Sequence, residues 1–357
     1  MIAFTNQKIE LSLVVATYRR PEQLNQLLDS LAHQSLPRND WELIVCVDEL
    51  NDRETIATLE VWKRNNLFAL TYFCQKNSGQ SIARHRAIEQ SHGSHIVVVD
   101  DDMELSPDFL KGHLSASRKF LGCTVVIGKV VPERHWTKEP LYEALRTEHM
   151  LKFHERLEAG QEPSASAFVT QNVSFPKSLY SKVGGFDFSF RLDEDRELGM
   201  RLERAGAQFV FSPEASAIHH SHIGSYEKWY QRQYEYGKYA VLAWQKLDHD
   251  PFAHPLRNLV TGSRLNAIFI HLFSPNNCCA KIIAAKLRIL GIVLKLAGFM
   301  NLALATHKAI LAIQYHRGVK DQLGSWKALL REKESFKCTK ERPYEPTGKG
   351  PTHGRNL

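Results

Sequence analysis

Three consecutive aspartates, Asp100, Asp101 and Asp102, follow directly on the apolar run 95–99. Carboxylates this close repel one another, and a divalent cation relieves that repulsion most simply, with phosphate as the natural companion of such a hard metal. In isolation the triplet would read as a solvated turn capping the helix that opens at Ser106 and Pro107. Its place at the end of a strand-like run turns the reading towards function. A second acidic set, Asp193, Glu194 and Asp195, opens a helical stretch running through Arg204. Acidic residues suit the positive end of a helix, yet a carboxylate there can also take the proton of a hydroxyl, a weak nucleophile without a base. Asp48 closes the run 41–47 and by itself is an ordinary turn residue. His219, His220 and His222 cluster after residues 212–218 without the cysteine spacing of a zinc site.

The apolar pattern shows what must position these groups. Residues 11–16, 41–47, 70–74 and 95–99 are short, β-branched-rich runs that read as buried strands. Between them, 21–33, 53–64 and 81–91 carry apolar residues at helical spacing, each opened by a proline or a polar start signal. The βαβαβαβ alternation predicts a parallel sheet covered by helices on both faces, which binds ligands beyond the carboxyl ends of its strands. Thr17, Tyr18, Arg19 and Arg20 stand at one such end, Asp48 and Glu49 at the next, and the aspartate triplet at a third. Further on, 123–131 reads as another strand, 140–157 as a charged helix acting as a lid or insert, and Gly206 as the stop of the helix begun at the acidic set.

The chain has 357 residues, enough for one larger domain and an appended smaller one. A composition of 43% hydrophobic and 24% charged residues excludes disordered and collagen-like classes. The formal charge of +7 favours an anionic partner such as a nucleotide, nucleic acid or acidic lipid. Cys46, Cys74, Cys123, Cys278, Cys279 and Cys338 are too scattered for a disulfide scaffold. The first residues hold no basic and apolar leader, so a cytoplasmic protein is expected. The longest apolar stretch, 282–300, contains Lys286, Arg288 and Lys295, which argues against a spanning helix. There Lys281, Arg288 and Lys295 recur at heptad spacing, a cationic stripe opposite Ile283, Leu287, Leu290 and Leu294. Such a helix either lies in an anionic membrane surface or packs on its neighbour at 302–315.

In one order the chain carries Thr17-Tyr18-Arg19-Arg20-Pro21, Val47-Asp48, Asn77-Ser78-Gly79 with Ala83-Arg84, Val99 before the triplet, Gly184-Gly185-Phe186-Asp187, and Glu194-Asp195 followed by Gly199 and Arg201-Leu202. Over about residues 11–222 this set resembles the family-2 glycosyltransferases of the GT-A fold. The resemblance implies an α/β, Rossmann-like GT-A domain over 1–224. A mainly helical, basic region over 225–336, expected either to contact a membrane or to pack as a small bundle, and a flexible tail over 337–357 follow it. It implies that Thr17, Tyr18 and Arg19 line a nucleotide pocket, that Asp48 accepts a hydrogen bond from the base, and that Arg84 approaches the diphosphate. Asp100 would lie near the ribose with Asp101 beside it, and Asp102 would ligate Mn2+ or Mg2+ together with His219. Glu194 would sit by donor and acceptor, and Asp195 would be the general base of an inverting transfer.

A UDP-sugar is the default donor and a hydroxyl on a glycan or lipid-linked carrier the acceptor. The expected place is the cytoplasmic face of a membrane, and no specific nucleic-acid partner is expected. Arg19 stands where the family often has Asn, and Glu49-Leu50-Asn51 replaces the common Asp-Gly-Ser, which leaves the base open. No Gln-x-x-Arg-Trp motif occurs, although Gln231 and Arg232 lie in the corresponding region, so a single transfer is favoured over polymerisation. The rival reading is a non-catalytic GT-A-like scaffold that binds anionic lipid or a polyanion, against which Asp102 and Asp195 argue. A nucleotidyltransferase would need a glycine-rich phosphate loop near the first strand, and the sequence has none.

Overall fold

The computed structural model describes residues 9–120, 122–220, 223–257 and 277–339; His222 and most of the tail expected over 337–357 lie outside the described residues. Strands β1 (Leu11–Thr17), β2 (Trp41–Val47), β3 (Ala69–Cys74) and β4 (His95–Val99) alternate with helices α1 (Pro21–Ala32), α2 (Arg53–Asn65) and α3 (Gln80–Gln90). β1 lies parallel to both β2 and β4, and β2 parallel to β3, so their carboxyl ends share one edge. Along β1 the pleat sends Leu11, Leu13 and Val15 into one core with Leu24, Leu27, Leu28 and Leu31 of α1. Val14 points the other way, into a second core with Ala83, Ala87 and Ile88 of α3. Each such buried side chain stabilises the sheet by roughly 1.5–3 kcal/mol.

Beyond β4 the simple alternation stops. β5 (Met103–Leu105), α4 (Phe109–Ser117), β6 (Thr124–Pro132), α5 (Leu141–Glu158), β7 (Asn172–Pro176), α6 (Lys177–Lys182), α7 (Glu194–Arg204) and β8 (Gln208–His219) follow. The sheet runs β3-β2-β1-β4-β7-β6-β8-β5. β7 is antiparallel to β4 and β6, while β8 is parallel to β6 and antiparallel to β5. The α5 helix is a packed insert on β6, where His154 Nε2 accepts the Val130 N–H at 3.3 Å.

One irregularity sets the register of the last strands. Gly128 of β6 pairs with Ser212, but Lys129 pairs with Ser216, so three residues of β8 bulge out. Asn172 bridges the gap: its amide donates to the carbonyls of Lys129 and Ala215 at 3.0 and 2.9 Å, and its oxygen takes a hydrogen bond from His113 at 2.8 Å. Past the bulge, β8 ends with His219 opposite Met103.

The chain divides into two compact units, Met1–Arg232 with Lys286–Lys308, and Gln233–Ala285 with Ala309–Leu357. The region read from the sequence as one helical extension therefore contributes to both. Its helices are α8 (Tyr226–Lys246), α9 (Asn277–Leu296), α10 (Met300–Gln322) and α11 (Trp326–Thr339). In the second unit α8 and α10 cross at Gly237 and Gly318, where a Cβ on either would come within 2.0 Å of a carbonyl oxygen of the other helix. In the first unit the Arg288 guanidinium lies 3.9 Å above the Tyr226 ring, Lys295 Nζ donates to the Glu139 carbonyl, and Gly291 abuts Thr306 of α10. Arg288 and Lys295 thus face protein, whereas Ile289, Ile292, Val293 and Leu296 face outward. Heptad spacing locates a cationic stripe but does not say which side of the helix the protein covers. Among the described residues no helix is long and apolar enough to cross a membrane.

A methyl group at Gly128 would meet the Asn172 amide at 2.3 Å, and Asn172 cannot move without breaking the bridge across the bulge. Gly128→Ala is expected to cost about 1–3 kcal/mol of stability, read as a lowered thermal unfolding midpoint.

Candidate active site

The described acidic triplet sits at the carboxyl end of β4, where β1 and β7 flank it. Burial and repulsion force each carboxylate to find a partner. Thr17 Oγ1, at the end of β1, donates to Asp101 Oδ2 at 2.8 Å. Arg20 Nη1 donates to Asp101 Oδ1 at 3.0 Å and to Asp102 Oδ2 at 2.9 Å. Asp101 is still pushed up to about 6, because burial and the neighbouring Asp102 and Asp100 outweigh the help from Arg20 and Thr17. Gln80 Nε2 reaches Asp100 from the start of α3 at 3.2 Å. Asp100, Asp102 and His219 each offer a ligand atom, all within 4.8 Å of one another. His219 Nε2 lies 3.4 Å from Asp102 Oδ1. Two carboxylates and one imidazole suit a divalent cation such as Mn2+ or Mg2+. His220 turns away, with Nε2 2.9 Å from Glu104 and Nδ1 3.6 Å from Glu133, because neighbours on a strand point to opposite faces.

Arg84 is the buried link. Its side chain is 2% exposed on α3, one η nitrogen bonded to Asp100 and the other 3.5 Å from Glu194 Oε1. The acidic start of α7 is thereby tied to the triplet. Gly184 and Gly185 take φ of 83° and 69° in the approach to α7, and a Cβ on Gly185 would lie 2.9 Å from Tyr180 and His85. Asp195 Oδ1 accepts its neighbour's amide, Arg196 N–H, at 2.7 Å. Burial first, then Glu194 and Asp193, push the Asp195 carboxyl up to about 7, against a smaller opposing pull from Arg84.

A second group gathers at the end of β2. Asp48 Oδ1 accepts from Gln75 Nε2 at 2.7 Å and Ser78 N–H at 2.9 Å, and Oδ2 from Gly79 N–H at 2.9 Å. Gly79 itself holds φ 97°, a turn that a side chain would strain. The carboxylate expected to meet a base therefore also fixes the turn into α3, the helix that carries Arg84. Tyr18 is 40% exposed with the Arg19 guanidinium 5.2 Å over its ring. Arg19 takes φ 53°, its N–H bonded to Asp52 at 2.8 Å and its guanidinium to Glu49 at 3.0 Å.

The structure thus brings Thr17, Asp100, Asp101, Asp102 and His219 together, ties Glu194 to them through Arg84 with Asp195 next to Glu194 on α7, and leaves Tyr18, Arg19 and Asp48 as a separate cluster along the same edge. Arg84, expected beside a diphosphate, lies buried between two carboxylates. Sequence reasoning missed Arg20 as the partner of the triplet and Gln75 and Gln80 as supports. The available signal for Arg20 was an arginine immediately before the proline that opens α1.

A mixed sheet of this topology with an acidic cluster at its carboxyl edge defines a GT-A glycosyltransferase fold. A mannosyltransferase of Pyrobaculum calidifontis, solved with GDP-Man and Mn2+, superposes with a TM-score of 0.59 at 18% identity, over 87% of this chain and 88% of that one. A fragment of TarS from S. aureus, solved with UDP, does so with a TM-score of 0.50 at 16% identity, over 89% and 92%. Residues 12–184 match the model of glycosyl transferase family 2, and this part of the chain belongs to that family. The succinoglycan biosynthesis protein ExoM of Rhizobium meliloti is 28% identical over 59% of this chain and 66% of its own length. The validoxylamine A glucosyltransferase of Streptomyces hygroscopicus subsp. jinggangensis is 26% identical over 61% and 57%. The chain therefore spans less than two thirds of these curated relatives.

Because the folded protein holds the Asp195 proton up to about 7 and an unfolded aspartate holds it only to about 3.9, the ionised carboxylate opposes folding as pH rises between those values. Buried neutral histidines such as His95 and His113 push the other way, so the comparison must be internal. The Asp195→Asn variant is expected to gain stability over the wild type progressively from pH about 4 to about 7, measured by urea unfolding with chelator present.

Proposed function

We propose that the chain transfers a single sugar from a nucleotide-diphosphate sugar to an acceptor hydroxyl, with inversion at the anomeric carbon. The observation that carries this reading is the Asp100, Asp102 and His219 set at the carboxyl edge of the sheet, tied through Arg84 to Glu194, whose neighbour Asp195 is a carboxyl pushed up to about 7 chiefly by burial. A base with that affinity for a proton is matched to a hydroxyl at neutral pH.

Thr17, Tyr18 and Arg19 after β1 and Asp48 after β2 form the seat for the nucleotide. Tyr18 and Arg19 offer a flat, cationic lip, and Asp48 has lone pairs left on Oδ2 beyond its bond to Gly79. Asp100, Asp102 and His219 would hold Mn2+ or Mg2+, which when bound neutralises the charge that develops on a departing diphosphate. Asp101, tied to Thr17 and Arg20, holds the triplet in shape. Asp195 takes the acceptor proton as the hydroxyl oxygen bonds to the anomeric carbon. The carbon–oxygen bond to the diphosphate breaks on the opposite face, so the configuration inverts. Glu194 holds the start of α7 to Arg84 and keeps the base at a fixed distance from the donor side. The names of the two curated relatives, a succinoglycan biosynthesis protein and a glucosyltransferase of validoxylamine A, support a saccharide-like hydroxyl as acceptor, and we place that acceptor on a glycan or a lipid-linked carrier at a membrane face.

The test is calorimetric titration of UDP and GDP with and without Mn2+, followed by donor turnover. Asp102→Asn is expected to lose the metal-dependent part of nucleotide binding. Asp195→Asn is expected to keep binding and lose roughly 100-fold or more in transfer. Since a protonated Asp195 cannot accept a proton, the wild-type rate should fall on acidification through pH about 7 and level off above it. Loss of binding in both folded variants would overturn this division of roles.

A further inference from the structure

The outward face of α9 in the first unit is apolar, and so is the turn that follows it. Ile289 is 63% exposed, Val293 56% and Leu296 83%, and beyond Gly298 come Phe299 and Leu302, each 57% exposed. Positions 289, 292, 293 and 296 fall on one side of a helix. Gly298, at φ 84°, carries the stripe round into the first turn of α10. The helix cannot rotate to hide these side chains, because its other face is occupied. Gly291 lies against Thr306 and Leu141, Arg288 is stacked on Tyr226, and Lys295 is bonded to the Glu139 carbonyl. A contiguous exposed patch of large aliphatic and aromatic side chains marks a surface that meets something other than water.

Charge and shape select the partner. Within the first unit the segment 286–308 carries Lys286, Arg288, Lys295 and Lys308 and no carboxylate, and Lys286, one turn before Ile289, is exposed. The largest exposure falls at Leu296, at the tip of the helix. A second copy docked symmetrically on that tip would set cations against cations. A layer with anionic headgroups over an apolar interior matches both features, and no described helix is suited to crossing such a layer.

We propose that Ile289, Val293, Leu296, Phe299 and Leu302 form a wedge that seats the first unit on an anionic lipid surface, with the apolar side chains at the headgroup boundary and Lys286 among the headgroups. The inference deepens the reading of the chain as a transferase working at a membrane face. It differs from the stripe expected from the sequence in that the aliphatic residues, not Arg288 and Lys295, make the contact.

The test is co-sedimentation of the full chain with vesicles of phosphatidylcholine containing phosphatidylglycerol, and with vesicles of phosphatidylcholine alone. Binding to the anionic vesicles is expected, weaker by about tenfold without the anionic lipid. The double substitution Leu296→Glu with Phe299→Glu is expected to weaken binding by at least about tenfold while leaving the calorimetric nucleotide titration unchanged, which shows that the fold survives. A Phe299→Trp variant should shift its emission to the blue on adding anionic vesicles. No binding by the wild type, or equal binding by the double variant, overturns the proposal. So does a wild-type dimer in light scattering that the double variant disperses, which would assign the tip to a second copy. A chain that seats on vesicles but binds no nucleotide sinks the transferase reading and leaves the lipid seat standing; one that binds nucleotide and ignores vesicles does the reverse.

Discussion

Six carboxylates, from Asp100, Asp101, Asp102, Asp193, Glu194 and Asp195, meet at one edge of the sheet, and the fold around them is organised by the need to contain their repulsion. Two unit charges 4 Å apart interact by about 4 kcal/mol at an effective dielectric constant near 20, so a handful left bare would rival the whole stability of a domain. Three guanidinium groups share the task, one of them Arg196, 3.8 Å from Asp193. Arg20 covers Asp101 and Asp102 from the open side, and Arg84 joins Asp100 to Glu194 from beneath. Burial, added to the repulsion these cations leave uncompensated, appears in the protons: Asp101 and Asp195 both hold theirs well above the ordinary aspartate range.

The elements that converge here each solve a local problem first. Parallel pairing of β1 with β2 and β4 brings Thr17, Asp48 and Asp100 to one edge, since parallel strands end together. α7 begins directly after Asp193, which takes the left-handed φ of 67°, and its first residue Glu194 lies beside Arg84. β8 reaches the triplet only because three of its residues leave the ladder and Asn172 spans the gap. Had β8 continued in step, its side chains would have alternated differently and His219 would not face Asp102. The register of a distant bulge is therefore part of the site.

The sequence made the first half of this legible and the second half only in part. The βαβ pattern is clear because β1, β2 and β4 are buried on both faces and read as unbroken apolar runs. β5 has three residues and β8 contains Pro213 with polar neighbours, so neither gives a strand-like period, and the order of the sheet beyond β4 was not readable. Asp102 and His219 read from the sequence as metal ligands with Asp100 near a ribose, whereas in the fold all three offer ligand atoms within 4.8 Å of one another. Arg20 was not picked, because an exposed-looking arginine before a helix gives no sign of what it will face across 81 residues of chain. Arg84 was picked for its place in a motif, but its near-complete burial depends on Glu194, a contact 110 residues away. For α9 the charge spacing did not show which side the protein covers, since small residues such as Ala284 and Gly291 set the inward side by allowing close approach, a signal weaker than the pattern of charges.

The bare apolar tip after α9 has a colloidal side. In water, a protein displaying Leu296 and Phe299 so openly carries a sticky point on every copy. What separates the copies is their common positive charge, a formal +7. That separation is electrostatic and acts over about 8–10 Å at ordinary ionic strength, contracting to about 3 Å at 1 M salt. The same cations that draw the molecule to an acidic surface thus keep it dispersed while it is away from one, and salt that weakens the first role weakens the second.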